Sequence, residues 1–439
     1  MKLDPTGRNL PWLALAASLL VCFGVWHWAE AILLPSNTVD AQTKGVPIGN
    51  NSDLYPRWLG AREALLHGRD PYSAEMTREM QAGFYGRPLD PKNPSDPKDQ
   101  VGFAYPLYVI FLLAPTITLP FHTVREIFQW LVLLSLAASV PLWMCAIGFR
   151  TRPAFTVAGM VLAVSSSAAI SEYHLQNLAV LVVLMLAGAA AAAVRGWLLV
   201  SGFLLALSTI KPQLSGLFVL FFALWATADW ARRQRLFWSF SVGLLALILA
   251  AEKVSFGWMG RFLGAIRAYQ SYAADPSILE VLLPAWLARL VAAALLAYLV
   301  VYCWRWRKAP AGAEQFGWAL AWIAAVTLAV IPKLAAYNQV LLIPALLVLL
   351  AHRVTISRTS LVPRALMKGV LMCLMWQWVT AVILSLASFL VSASRIRIAA
   401  GGPQYTLFAL PSITLLAVVA TTFSLSAGPD PQTPAAPRG

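Results

Sequence analysis

Apolar runs recur from one end of the chain to the other, each of about 17 to 25 residues and so long enough to cross a hydrocarbon core of roughly 30 Å. The runs show no alternation of apolar and polar positions. In lipid every backbone N–H and C=O must find a partner within the protein, and that leaves helices as the spanning element. Only 12% of the 439 residues are charged and 59% are hydrophobic, whereas soluble domains carry about 25% charged residues. The expected fold is an all-α, polytopic integral membrane helical bundle.

The first run, about residues 11–34, follows Lys2 and Arg8. It is longer than a signal-peptide core and lacks a small-residue cleavage site, so it reads as the first membrane helix. Later spans are expected near 124–148, 154–171, 176–194, 197–211, 213–230, 236–252, 281–303, 315–332, 338–352, 366–392 and 406–424. With the first that makes about twelve transmembrane helices in one domain, 1–426, and a disordered Pro- and Ala-rich tail, 427–439. Segment 103–120 is apolar enough to cross, but Pro106, Pro115 and Pro120 suit an interfacial piece better. Keeping it at the surface puts Arg150, Arg152, Arg195, Arg232, Arg233 and the later basic clusters all inside, as the positive-inside bias requires. Both termini are then inside and 35–122 becomes a long outer loop.

The same bias accounts for the net charge of +14. No soluble basic domain exists to carry nucleic acid, so no nucleic-acid partner is expected. Cys22, Cys145, Cys303 and Cys373 all lie within apolar runs and read as small buried side chains. No glycine-rich phosphate loop, nucleophile elbow or zinc-ligand spacing is present, and neither a cofactor nor a metal is called for. Glu172 and His174 stand two apart, a spacing that turns them away from each other on a helix.

The 35–122 loop holds a large share of the acidic residues, among them Asp53, Asp70, Asp90, Asp96 and Asp99. Asp53 reads in two ways: as a carboxylate able to take a proton from a hydroxyl nucleophile, or, with Ser52, as the cap of a short helix that has Pro56 in its first turn and Gly68 at its end. Asp70-Pro71-Tyr72 is a turn signal that also offers polar groups. Asp90 to Asp99, dense in proline, reads as a solvated linker. Lys211 and Lys333 sit beside Pro212 and Pro332 at the ends of apolar spans, where a lysine either snorkels or meets a lipid phosphate. Arg261 and Arg395 are further phosphate candidates on the same side. Tyr72, Tyr105, His174, Gln176, Asn177, Asn338 and Gln339 are candidates for hydrogen bonds to sugar or acceptor.

The order of these motifs is similar to that of glycosyltransferase family 87, in the integral-membrane GT-C superfamily. The likeness rests on an acidic residue soon after the first helix and on Ala-x-x-Ala-Leu-Leu-x-Gly-x-Asp-Pro-Tyr, from Ala61 to Tyr72. Phe103 to Pro106, Gln176-Asn177, Ile210-Lys211-Pro212 and the amide turn from Asn338 to Pro344 follow in order. The family commonly has Tyr-Pro-Pro where this chain has Tyr105-Pro106-Leu107. The resemblance implies an inverting hexosyltransferase of the bacterial plasma membrane with its site facing outward. The donor would be a polyprenyl-phosphate sugar, mannose in the family, and the acceptor a lipid or glycan. The position matching the family's general base is Asp53. The alternative reading is a polytopic transporter or lipid flippase, which would show internal repeats and broken helices.

Overall fold

The computed structural model describes residues 9–90, 92–93, 96–272, 276–332 and 335–426. Among these residues every regular element is helical. Six helices are long and apolar enough to cross a membrane: Leu10–Thr43, Phe121–Ala146, Trp230–Val254, Ala285–Trp306, Leu361–Ala387 and Ala393–Leu425. A seventh span arises if Pro153–Val164 and Ser167–Leu175, bent by 57° at their junction, count as one. The chain is thus a polytopic helical membrane protein. The sequence count of about twelve also needs the shorter apolar helices Ala179–Val194, Leu198–Ser208, Pro212–Thr227, Glu314–Val330 and Ala336–Ala351. A helix of 16 residues such as Ala179–Val194 rises only about 24 Å. Polar turns shorten these helices, and hydropathy reads through the turns.

The bundle's centre and its margin differ in the residues they use. Ala179–Val194 and Glu314–Val330 are buried on nearly all sides and rich in alanine, which lets neighbouring backbones come close without a hydrophobic driving force. Trp230–Val254 is the opposite case, with only 6% of its apolar window buried. It meets Leu198–Ser208 at Gly202, where an added Cβ would stand 2.3 Å from the Leu236 carbonyl oxygen.

The first helix runs on past its expected end at 34. It passes through a π-helical turn at Ala29–Leu33 into Leu34–Thr43, so the loop begins later than residue 35. Pro35 falls in the first turn after that widened segment. Beyond it come Leu54–His67, stopped by Gly68 at φ 64°, and Ala74–Tyr85, capped by the Ser73 hydroxyl and stopped by Gly86 at φ 81°. These are helix ends that glycine permits and side-chain-bearing residues resist.

Segment 103–120 contains only the five-residue helix Val109–Leu113 and the turn Ala114–Thr116, too short to cross on its own. It is packed into the protein, with Phe103, Leu107, Val109 and Ile110 buried. The Trp58 indole donates to the Thr116 carbonyl across 3.2 Å. Loop and bundle therefore share one core. The expected disordered tail and Lys333 lie outside the described residues.

Candidate active site

The site begins where the loop meets the break in the apolar helices. The Asp53 backbone N–H donates to the Leu175 carbonyl at 2.8 Å, and the Ser52 hydroxyl to the Gln176 side-chain oxygen at 2.6 Å. Gln176 closes helix Ser167–Leu175 in the left-handed conformation, φ 47°, and is fully buried. That reversal throws Asn177 out at the start of Ala179–Val194, where its Oδ1 accepts from the Ala179 N–H at 3.1 Å.

Asn177 then links two charges. Lys211 Nζ donates to its Oδ1 at 2.7 Å, and its Nδ2 donates to Asp53 Oδ2 at 2.8 Å. The amide orientation follows from chemistry: an ammonium can only donate and a carboxylate only accept, so oxygen faces Lys211 and nitrogen faces Asp53. Lys211 also donates to Asn338 Oδ1 at 3.1 Å and stands 4.8 Å from the Tyr337 ring centroid. Four turns far apart in the chain thus form one hydrogen-bonded line, from Asn338 through Lys211 and Asn177 to Asp53. Its two amides and its lysine are buried, Lys211 to 4% exposure.

Asp53 occupies the N-cap position of Leu54–His67, yet its side chain makes no capping bond. The carboxylate is turned toward Asn177 instead. The capping alternative is therefore not the one the fold uses.

Asp53, Tyr105, Asn177, Lys211 and Asn338 all line one cavity of about 720 Å³. Its volume lies in the range of about 300–1,000 Å³ typical of pockets that enclose organic ligands. Arg57, not among the sequence candidates, lines it too. Its guanidinium lies 4.8 Å from the Tyr105 ring centroid and donates to the Asp53 carbonyl at 3.0 Å. Burial pushes the Tyr105 phenol above its ordinary range, with Arg57 pulling the other way, so the ring is a neutral wall of the cavity. The Tyr72 hydroxyl donates to the Tyr105 carbonyl at 2.7 Å and supports that wall from behind.

A second carboxylate lies behind the line. Glu172 is fully buried, and neither oxygen has a hydrogen-bond partner of good geometry among the described residues. The span expected near 154–171 stops short of Glu172, which lies in helix Ser167–Leu175.

Other candidates fall elsewhere. Asp70 pairs with Arg261 at 3.1 Å, and Arg261 also donates to Ser255, so this pair ties the loop to helix Trp258–Tyr272. Arg395 is exposed on Ala393–Ala399 and does not line the cavity. His174 stands 3.6 Å from Glu30. Gln339 donates to the Leu407 carbonyl and lines a separate apolar cavity of about 210 Å³.

One segment set aside in the sequence matters more than its composition suggested. Asp99 lines the main cavity, and its carboxylate accepts from the Val101 N–H at 2.9 Å. The solvated-linker reading is corrected there, because Val101, buried with φ 52°, folds the end of the linker back into the protein. Non-glycine residues with positive φ are uncommon, and pattern reading does not reveal them. Among the described residues no group of three or more His, Cys, Asp or Glu side chains is placed to hold a metal. No protein-family model, curated protein or solved structure matches the chain, and its chemistry is read from this cavity.

Proposed function

We propose that the chain is a membrane glycosyltransferase that moves a hexose from a polyprenyl-phosphate sugar to an acceptor hydroxyl. The observation that carries this reading is the buried line Asn338–Lys211–Asn177–Asp53 on the wall of the 720 Å³ cavity. It sets a carboxylate and a cation in one enclosure, linked by an amide that keeps them apart and fixed. Inverting transfer needs both: a base for the incoming hydroxyl and positive charge for the departing phosphate.

In this proposal Asp53 takes the acceptor proton as the hydroxyl oxygen bonds to the anomeric carbon. The bond from that carbon to the phosphate oxygen breaks on the opposite face. Lys211 and Arg57 receive the phosphate charge, in place of Arg261 and Arg395. The bundle crosses about twelve times with both termini inside, and the cavity opens outward at the plasma membrane. Pro212, Pro332 and Ala285, exposed cavity-lining residues at helix ends, supply an apolar margin from which a lipid-borne donor enters.

The decisive experiment uses purified protein in proteoliposomes with radiolabelled polyprenyl-phosphate mannose. Asp53→Asn and Asp53→Ala are expected to lower transfer by about 10²- to 10⁴-fold while Tm stays near wild type. Near-native transfer by both variants overturns the base assignment. The 57° break between Pro153–Val164 and Ser167–Leu175 is the feature a transporter reading would use. Movement of the intact donor across the bilayer, without product, would favour that reading.

A further inference from the structure

The cavity of about 720 Å³ is lined by residues of differing exposure. Asn177, Lys211 and Asn338 are buried, whereas Phe84, Asp99, Tyr269 and Glu280 are partly or largely exposed. All of them line the same cavity. We propose that the margin formed by Phe84, Tyr269, Asp99 and Glu280, with the buried Tyr85 ring packed against Phe84, is the acceptor subsite, and that it takes an uncharged glycan of more than one sugar. This inference rests on the transferase reading and names its second substrate.

Position is the first argument. The end of helix Ala74–Tyr85 is bound to the strand of chain that leads into Asp53. The Asn50 N–H donates to the Gly83 carbonyl at 3.0 Å and the Asn51 N–H to the Phe84 carbonyl at 3.2 Å. A Cβ at Gly49 would stand 2.4 Å from the Gly86 nitrogen, so the two backbones meet where only glycine fits. The Phe84–Tyr85 pair is therefore held in register with Asp53. A group resting on Phe84 lies in the same cavity as the carboxylate that is to deprotonate it.

Surface chemistry is the second. Phe84 and Tyr85 stand edge to face at 4.8 Å, and Tyr269 and Tyr272 at 5.5 Å. The Tyr85 hydroxyl is committed to the Asp99 carbonyl at 2.8 Å, which fixes the ring. Such rings offer apolar faces with polar edges, matching a sugar ring's C–H face and its surrounding hydroxyls. An isoprenoid chain would gain nothing from the carboxylates and Gln270 beside them.

Charge is the third. Lys211 is buried and Arg57 half-buried, while Asp99 is half-buried and Glu280 exposed. Glu280 accepts from the Ser277 backbone N–H at 2.9 Å, a bond that holds its carboxyl below the usual range and keeps it ionised. An anionic acceptor group would meet like charge here, and a neutral glycan meets only hydrogen-bonding groups.

The test separates binding from transfer. Methyl α-mannotrioside binding to the detergent-solubilised chain is followed by saturation-transfer NMR. Transfer is followed in proteoliposomes with octyl α-mannoside, octyl α-mannotrioside and the trioside ending in a uronate. The neutral trioside is expected to be used about tenfold better than either alternative. Phe84→Ala and Tyr269→Ala should raise its KM about tenfold without changing the donor's KM, with Phe84→Leu and Tyr269→Phe as milder variants should the alanines fail to fold. Asp99→Asn with Glu280→Gln should restore use of the uronate. Equal use of all three acceptors, or trioside binding that ignores the aromatic substitutions, overturns the proposal. Trioside binding lost in the aromatic variants, with no transfer from any donor, supports the subsite and overturns the transferase reading instead.

Discussion

Arg69 and Lys211 are both cations surrounded by polar partners, and they do opposite things. Arg69 bonds Glu63 at 3.0 Å and lies 3.2 Å from Glu75, with Glu79 accepting from both of its terminal nitrogens. It is about a third exposed, so water competes for every bond and the net gain is small. Lys211 has fewer charges around it but is buried, and it donates to two amide oxygens. In that setting each bond is worth more and its loss leaves a stranded polar group. The lesson is that density of charge in the sequence marks the surface clasp, and scarcity marks the site.

Substitution of Lys211 should break the contrast most sharply. Lys211→Met is expected to abolish binding of polyprenyl phosphate and to cost about 2–3 kcal/mol, since charged hydrogen bonds are worth about 1.5–3 kcal/mol each. Lipid-phosphate binding and thermal unfolding in detergent check both parts. Asn177→Ala comes next. It removes the spacer between cation and carboxylate, costs about 1–3 kcal/mol through unpaired buried groups, and should lower transfer even where the protein stays folded.

Ser73→Ala sharpens the comparison within the loop. Its hydroxyl is a working cap, accepting from the Met76 N–H at 3.2 Å, so about 1 kcal/mol of stability should go with transfer unchanged. Asp53→Ala, at a cap position without a capping bond, should lose transfer without losing any helix-cap stability.

The smallest effect is expected at Arg69. Its bond to Glu79 holds that carboxyl below its ordinary value of 4.5. A depressed carboxyl contributes stability above its unfolded value and loses it as the pH falls through the folded one. The Tm difference between wild type and Arg69→Ala should be slight at neutral pH and vanish in acid. A difference that instead grows on acidification would show that the clasp is not an ion pair.

Much of the site's membership could be read from residue type and order. Asp53, Tyr105, Asn177, Lys211 and Asn338 were all candidates, because a polar side chain at the edge of an apolar run is conspicuous. Arg57 escaped notice, and Glu172 was weighed only beside His174, each for a physical reason. Arg57 looks like the solvent face of a short helix until Tyr105, from a segment nearly fifty residues on, is laid beneath its guanidinium. Glu172 looks like a turn residue because carboxylates are seldom fully buried. Asp99 was lost in a proline-rich run whose last residue turns inward by a backbone angle that composition does not encode.

Residue chemistry alone determined that this chain is a helical membrane protein, since long uncharged runs leave the backbone no other way to satisfy its hydrogen bonds in lipid. It also placed the end of helix Leu54–His67 at Gly68. What only the tertiary structure decided is where the carboxylate of Asp53 points and what stands beside it. Capping is a local bond that the sequence pattern allows. The bond to Asn177 depends on a left-handed residue 123 positions away from Asp53, at Gln176, and on Lys211 holding the amide's other face.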